Sequence, residues 1–279
     1  MITGNQLSAI LERAYVPEQM IDYVTAVSGA EPFLFGDFIA YRKGEHLIFI
    51  GYPLGDAFEE KKIKKALEKA VRRFKPVRVA LTVPCVPASI RPGKPPSFDQ
   101  YYRLDLASLS VSQKVRNMIS RAGRMLKVEK RKTLTEDHDE LVREFLKVHP
   151  VGQETQLIFN RIPDYVSSTE TAWVFDARNE GGDLVAFDVA EMGPKVYAFY
   201  MFNFTSRDRF VPGASDLLLW EIIQHAQRED KRYINLGLGI DPGVIFFKEK
   251  WGGEPFLPYA FVDYAPAGES GLEGLLQKL

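Results

Sequence analysis

The sequence predicts an α/β protein built from two tandem copies of one module, each a central mixed β-sheet flanked by helices. Two observations carry this. A hairpin, a glycine loop ending in Asp56, a helix and a strand follow one another over residues 33–83; a hairpin, a third strand, a glycine loop ending in Asp216, a helix and a strand do so over 171–236. The charge also divides: residues 1–132 hold 23 Lys and Arg against 13 Asp and Glu, and residues 133–279 hold 13 against 24. The expected division is therefore a basic module over 1–132 and a module carrying the site over 133–279. A basic half favours phosphate-bearing partners, although two oppositely charged halves can also simply attract each other.

The elements follow from period and punctuation. Gln6 to Ala14 and Glu18 to Val27 read as short helices separated at Pro17. Phe33 to Tyr41 and His46 to Tyr52 are β-rich runs joined by the hairpin signal Arg42-Lys43-Gly44-Glu45. After the glycine loop, Ile63, Leu67, Ala70, Val71 and Phe74 fit a 3.6-residue period, with Lys61, Lys64, Lys65 and Lys69 opposite. Val77 to Val83 is a buried strand, Pro87 to Pro96 a connection, and Tyr101 to Leu106 another strand. A helix from about Ser112 to Leu126 turns Val115, Met118 and Ile119 inward and Lys114, Arg121 and Arg124 outward; a basic strand, 127–132, continues it.

In the second half, Leu141, Val142, Phe145 and Leu146 mark a helix, and Thr171 to Ala177 and Leu184 to Glu191 are strands. Lys195 to Phe204 is nearly all apolar and is expected to be buried on both faces. The loop 205–215 opens a helix with Leu218, Leu219, Ile222 and Ile223 on its core side. Tyr233 to Leu236 is a strand broken by Gly237 and Gly239; Asp241-Pro242-Gly243 is a turn, and Val244 to Trp251 a short helix with Lys248 and Lys250. Phe256 to Tyr264 is the closing strand.

Several function classes find no footing. With 46% hydrophobic and 26% charged residues and no apolar run near ~18 residues, the composition is that of a soluble globular protein. The N-terminal MITGNQLSAILERAY has no signal-peptide pattern, so a cytoplasmic location is expected. Cys85 stands alone and the four histidines form no ligand pair, so no metal site is expected. Neither GxxxxGK(S/T) nor GxGxxG occurs. The strand–loop–helix junction at Val211, Gly213, Ala214 and Ser215 leaves helix N–H groups able to hold a phosphate, though Ser215 and Asp216 equally suit plain capping.

Asn235-Leu236-Gly237 together with Phe247-Lys248-Glu249-Lys250-Trp251-Gly252 resembles the C-terminal signature of soluble phosphatidylglycerol lysyltransferase-type domains. Phe35 to Tyr41 and Ile50 to Gly55 are similar to that family's N-terminal copy, and Asp105-Leu106 followed by Lys114, Arg116, Arg121 and Arg124 to an arginine-rich helix shared with Fem-type peptidyltransferases. The likeness runs from about residue 30 to 262 and identifies the repeated module as the GNAT acyltransferase module. It implies transfer of an activated acyl group, commonly an aminoacyl ester from tRNA, to an amine or hydroxyl, with a small-molecule, peptide or lipid-headgroup acceptor. No tightly bound cofactor is implied; aminoacyl-tRNA or acyl-CoA would be the co-substrate.

In ordinary GNAT relatives the loop matching 211–216 binds CoA pyrophosphate, but here Arg209 precedes Gly213 by four residues instead of the usual three. The resemblance gives Lys248 the catalytic role of stabilising the oxyanion. Asn235, Gly237, Gly239, Phe247 and Trp251 are expected around its pocket, and Lys114, Arg116, Arg121 and Arg124 as tRNA contacts. Asp188, Glu191, Asp263, Tyr259 and Tyr264 stay open as general bases, and His225 is expected to be an exposed helix residue. A non-catalytic ligand- or protein-binding module is the reading from another class.

Overall fold

The computed structural model describes residues 2–55 and 58–266; Asp56, which ends the first glycine loop, lies outside them. The first half runs α1 (Gly4–Arg13), a 3-10 turn, α2 (Ile21–Ser28), β1 (Glu31–Phe35), β2 (Phe38–Lys43), β3 (His46–Ile50), α3 (Glu60–Phe74), β4 (Arg78–Val83), β5 (Ser97–Asp105) and α4 (Gln113–Ala122). The second runs β6 (Leu126–Arg131), α5 (Glu136–Val148), α6 (Gln153–Asn160), α7 (Ile162–Ser168), β7 (Ala172–Asn179), β8 (Leu184–Glu191), β9 (Tyr197–Thr205), α8 (Ala214–Arg228), β10 (Tyr233–Leu238), α9 (Pro242–Lys250) and β11 (Glu254–Tyr264).

The strands form one sheet in the order β1-β2-β3-β4-β11-β5-β10-β9-β8-β7-β6. Among the described residues only β3–β4 and β9–β10 pair in parallel, and each of these pairs is bridged by a helix, α3 or α8. A parallel neighbour needs such a crossover, so the repeat seen in the sequence is a repeated βαβ unit. The halves then exchange their last strands: β5 leaves the first half to pair with β10, and β11 returns to pair with β4. The β5–β11 pair joins the two halves at the centre of the sheet.

Register places Phe98, Gln100, Tyr102 and Leu104 of β5 on the same face as Ala260 and Val262 of β11. That face carries α3 over one half and α4 with α8 over the other. The opposite face is covered by α1 and α2 and, beyond them, by α5 and α7. Helix α3 shows why: Ile63, Ala66, Leu67 and Ala70 are buried at helical spacing while its lysines stay outside.

Two expectations are corrected. The run Phe33 to Tyr41 is two strands, because Gly36 turns the chain at φ 65° and lets β1 fold back on β2. Helices α6 and α7 lie where the sequence reading places no element; α6 buries no residue, whereas α7 buries Ile162, Tyr165 and Val166. Strand β9 is not buried on both faces: only Ala198, Phe199 and Phe204 are, since its neighbour diverges from it. Among the described residues no helix is long and apolar enough to cross a membrane.

Candidate active site

The two parallel strands of the second βαβ unit part company. β10 pairs with β9 only from Tyr233 to Asn235, against Tyr197 to Phe199. Between Asn235 and Gly237 a bulge shifts β10 against β5 as well. Buried Asn235 fixes that bulge: its Nδ2 donates to Tyr15 O at 2.8 Å, and its Oδ1 accepts from Gly237 N–H at 2.8 Å. Gly237 has φ 79°, and a Cβ there would stand 3.8 Å from Lys248 Nζ and 4.0 Å from Tyr200 O. Those are ordinary contact distances, so glycine is needed at 237 for its left-handed backbone conformation and not for lack of room.

Lys248 sits on α9, whose N-terminus is capped by Asp241 accepting from Gly243 N–H and Val244 N–H at 2.7 and 2.9 Å. The lysine is 3% exposed, donates to Leu238 O, and lies 5.7 Å from the Tyr102 ring centre. Burial pushes its pKa from 10.5 down to about 8, against the pull of the Asp99 and Asp241 carboxylates. Asp99 also ties the turn before α9, accepting from Gly239 N–H and Ile240 N–H at 3.0 Å each. Ile240 needs that tie: it is β-branched, 76% exposed and held at φ 63°, a conformation such residues avoid. Phe247 stacks on Tyr200 with ring centres 6.4 Å apart, beside the split. Trp251 is fully buried, its indole N–H donating to Asp216 Oδ1 at 2.9 Å.

The loop before α8 is tightly occupied. Val211 and Ala214 are buried, and Gly213 at φ 89° brings its Cα against α4, where a Cβ would meet Met118 O at 3.0 Å. Ser215 Oγ lies 3.3 Å from Asn203 Nδ2 and 3.2 Å from Thr205 Oγ1. Gly213→Val is expected to destabilise the ligand-free protein by about 2 kcal/mol or more, through strain and the Met118 clash. A thermal melt without any donor reads this, and an unchanged Tm would refute the packing role.

The five acids and phenols are sorted by their surroundings. Asp188, under α8, has its pKa pushed up to about 8 by burial, with Asn203 and Tyr200 facing it. Glu191 is committed to Tyr165 Oη and Gly193 N–H at 2.6 and 2.7 Å. Asp263 pairs with Arg78, Tyr264 belongs to the core beneath α3, and Tyr259 packs on Tyr101 on the opposite face. His225 is not exposed; it packs against Trp173 and Phe175, and nearby Lys130 reinforces the burial that lowers its pKa. Among the described residues no cluster of three His, Cys, Asp or Glu can hold a metal. Lys114, Arg116 and Arg121 are exposed on α4, and Arg124 is exposed just beyond its end. Arg116 is held by Gln113 and by Val111 O, whereas the other three make no ion pair among the described residues.

Sequence reasoning did not find Asp99, Tyr200 or Asn203. Asp99 meets Gly239 from 140 residues away, so no local pattern announces it.

Two βαβ units fused in one sheet, the parallel strands of the second diverging, define the tandem GNAT fold. Solved structures share it over nearly their whole length. L-PGS from Bacillus licheniformis is 16% identical, with a TM-score of 0.60, 99% of this chain and 96% of that one being covered. The C-terminal domain of a putative lysylphosphatidylglycerol synthetase from Agrobacterium fabrum is 17% identical at TM-score 0.64, covering 98% and 94%. FemX is 10% identical at TM-score 0.65, covering 100% and 98%. At these identities the likeness is one of fold. No family model and no curated protein sequence matches the chain.

Proposed function

We propose that this chain is an acyltransferase that moves an aminoacyl group from aminoacyl-tRNA directly to an amine or hydroxyl acceptor, with Lys248 as the catalytic residue. The observation that carries the reading is a buried lysine, its pKa lowered to about 8, set behind a glycine bulge where β9 and β10 part. In the reaction the acceptor bonds to the ester carbonyl carbon and the carbonyl oxygen gains charge. The ribose oxygen then leaves, taking the proton that the acceptor loses. A preorganised ammonium beside the developing oxyanion stabilises that charge in a water-poor site. With one N–H given to Leu238 O, Lys248 keeps two for this purpose.

The tRNA donor is supported by position and charge. The exposed lysines and arginines of α3 and α4 stand over the same face of the sheet, at its two halves. Such cations release counterions from a nucleic acid, so binding should weaken steeply with salt. Aminoacyl-tRNA binding measured by anisotropy is expected to fall by at least about tenfold between roughly 50 and 200 mM salt. Binding that is absent, or indifferent to salt, would overturn the tRNA reading.

A further inference from the structure

The loop between β9 and α8 is built to hold an anion, and the anion it holds is the chain's own. Glu144 reaches from α5 with Oε1 accepting from Arg207 N–H at 2.6 Å and from Asp208 N–H at 3.3 Å. Ser206 Oγ lies 3.0 and 3.1 Å from the two carboxylate oxygens, and Arg209 Nη2 completes the set at 3.5 Å. Burial alone would raise the pKa of Glu144. The two N–H groups, the hydroxyl and the guanidinium instead hold it below the ordinary carboxylate range.

Two consecutive backbone N–H groups, a hydroxyl and an arginine around one oxyanion are equally a phosphate's donor set. Beside it lies a cavity of about 340 Å³ lined mainly by apolar and aromatic groups: Phe145, Val148, His149 and Phe210. Phe145 and His149 are stacked there, ring centres 4.2 Å apart. An anion-binding loop next to an aromatic cavity suits a nucleotide carrying pyrophosphate, yet the polar half of the site is already taken.

We infer that Glu144 is a specificity-determining residue: its carboxylate fills the phosphate position of this loop and keeps pyrophosphate-bearing donors of the nucleotide-thioester class out. The inference rests on reading the neighbouring β9–β10 split as the acyl-transfer cleft. A ligand pyrophosphate can enter only by displacing a carboxylate that four donor groups hold, and the displaced charge would face the incoming one. Glu144→Ala removes the competitor and leaves Arg207 N–H, Asp208 N–H, Ser206 and Arg209 free to take the ligand.

Calorimetric titration of the full chain with inorganic pyrophosphate, and separately with coenzyme A, tests this. Glu144→Ala is expected to bind pyrophosphate at least about tenfold more tightly than the unaltered protein, and Arg209→Ala added to it should abolish the gain. Glu144→Asp withdraws the charge from the loop N–H groups while keeping it near Arg209. It is expected to give a smaller gain, about threefold, and serves if the alanine variant does not fold. Equal affinity in the unaltered protein and a folded variant would overturn the inference. So would a gain that survives Arg209→Ala. Because binding is read without turnover, a failure here is distinct from a failure of the Lys248 reading.

Discussion

Lys248→Met is expected to lower kcat about 10²- to 10³-fold while leaving donor binding intact and the fold at least as stable as before. The first half follows from chemistry. A single donor aimed at an oxyanion in a desolvated site is worth roughly 3 kcal/mol, and Nζ lies next to Gly237, just past the point where β10 stops pairing with β9. The second half follows from the cost of burying a charge. A pKa lowered from 10.5 to about 8 means that the fold carries an ammonium it would rather leave neutral, at a cost on the order of 3 kcal/mol near pH 7. Methionine has similar length and no charge to desolvate.

The sign can be checked with pH. Between about pH 8 and 10.5 the unfolded chain binds the Lys248 proton and the native one does not, so this group makes stability rise with pH across that window. The rise should vanish in Lys248→Met, as denaturant titrations at both ends of the window would register. Transfer that depends on the protonated lysine should fall as pH passes about 8. A lysine kept only for packing or for its bond to Leu238 O would give the reverse pattern, with kcat untouched and stability lost. A chain with no catalytic role would show no transfer for the substitution to remove.

What was legible in the sequence is what local patterns encode. The 3.6 period of Ile63, Leu67 and Ala70 marks α3, and the broken strand at Gly237 with a lysine eleven residues on points to Lys248. What was hidden depends on pairing across long separations. The exchange of β5 and β11 leaves no local trace, because either strand would read the same beside any neighbour. Strand β9 misled for a related reason: an apolar run suits a doubly buried strand, but here Tyr200, Met201 and Phe202 remain half-exposed where β10 turns away. The five base candidates looked equivalent because adjacency on strands says nothing of partners. Glu191 is set apart by Tyr165 and Gly193, and Asp263 by Arg78. His225 reads in the sequence as an exposed helix residue; Trp173 and Phe175 arrive from β7 to cover it.

Asp216→Ala is expected to destabilise the protein by about 3 kcal/mol, the largest stability loss among substitutions near the site. In the sequence this aspartate looks like an acidic residue placed to complement the dipole of α8. In the structure it is a buried tie between α8 and α9. It is 3% exposed, with Lys250 Nζ at 2.6 and 2.9 Å from its two oxygens and the Trp251 indole N–H at 2.9 Å. Deleting the carboxylate strands an indole N–H in the core and leaves Lys250 without its counter-charge. Because the Lys250 side chain is 21% exposed, water can recover part of that loss, which places the effect at the low end of the range for broken buried pairs. Asp216→Asn keeps an acceptor for Trp251 and removes only the charge, so it should cost about half as much. Urea denaturation of the two variants separates the terms, and losses below about 0.5 kcal/mol in both would refute the tie. The same two variants reach the chemistry through α9. Loosening Lys250 and Trp251 frees the end of the helix that carries Lys248, so kcat should fall at temperatures where both variants remain folded, and further for alanine than for asparagine.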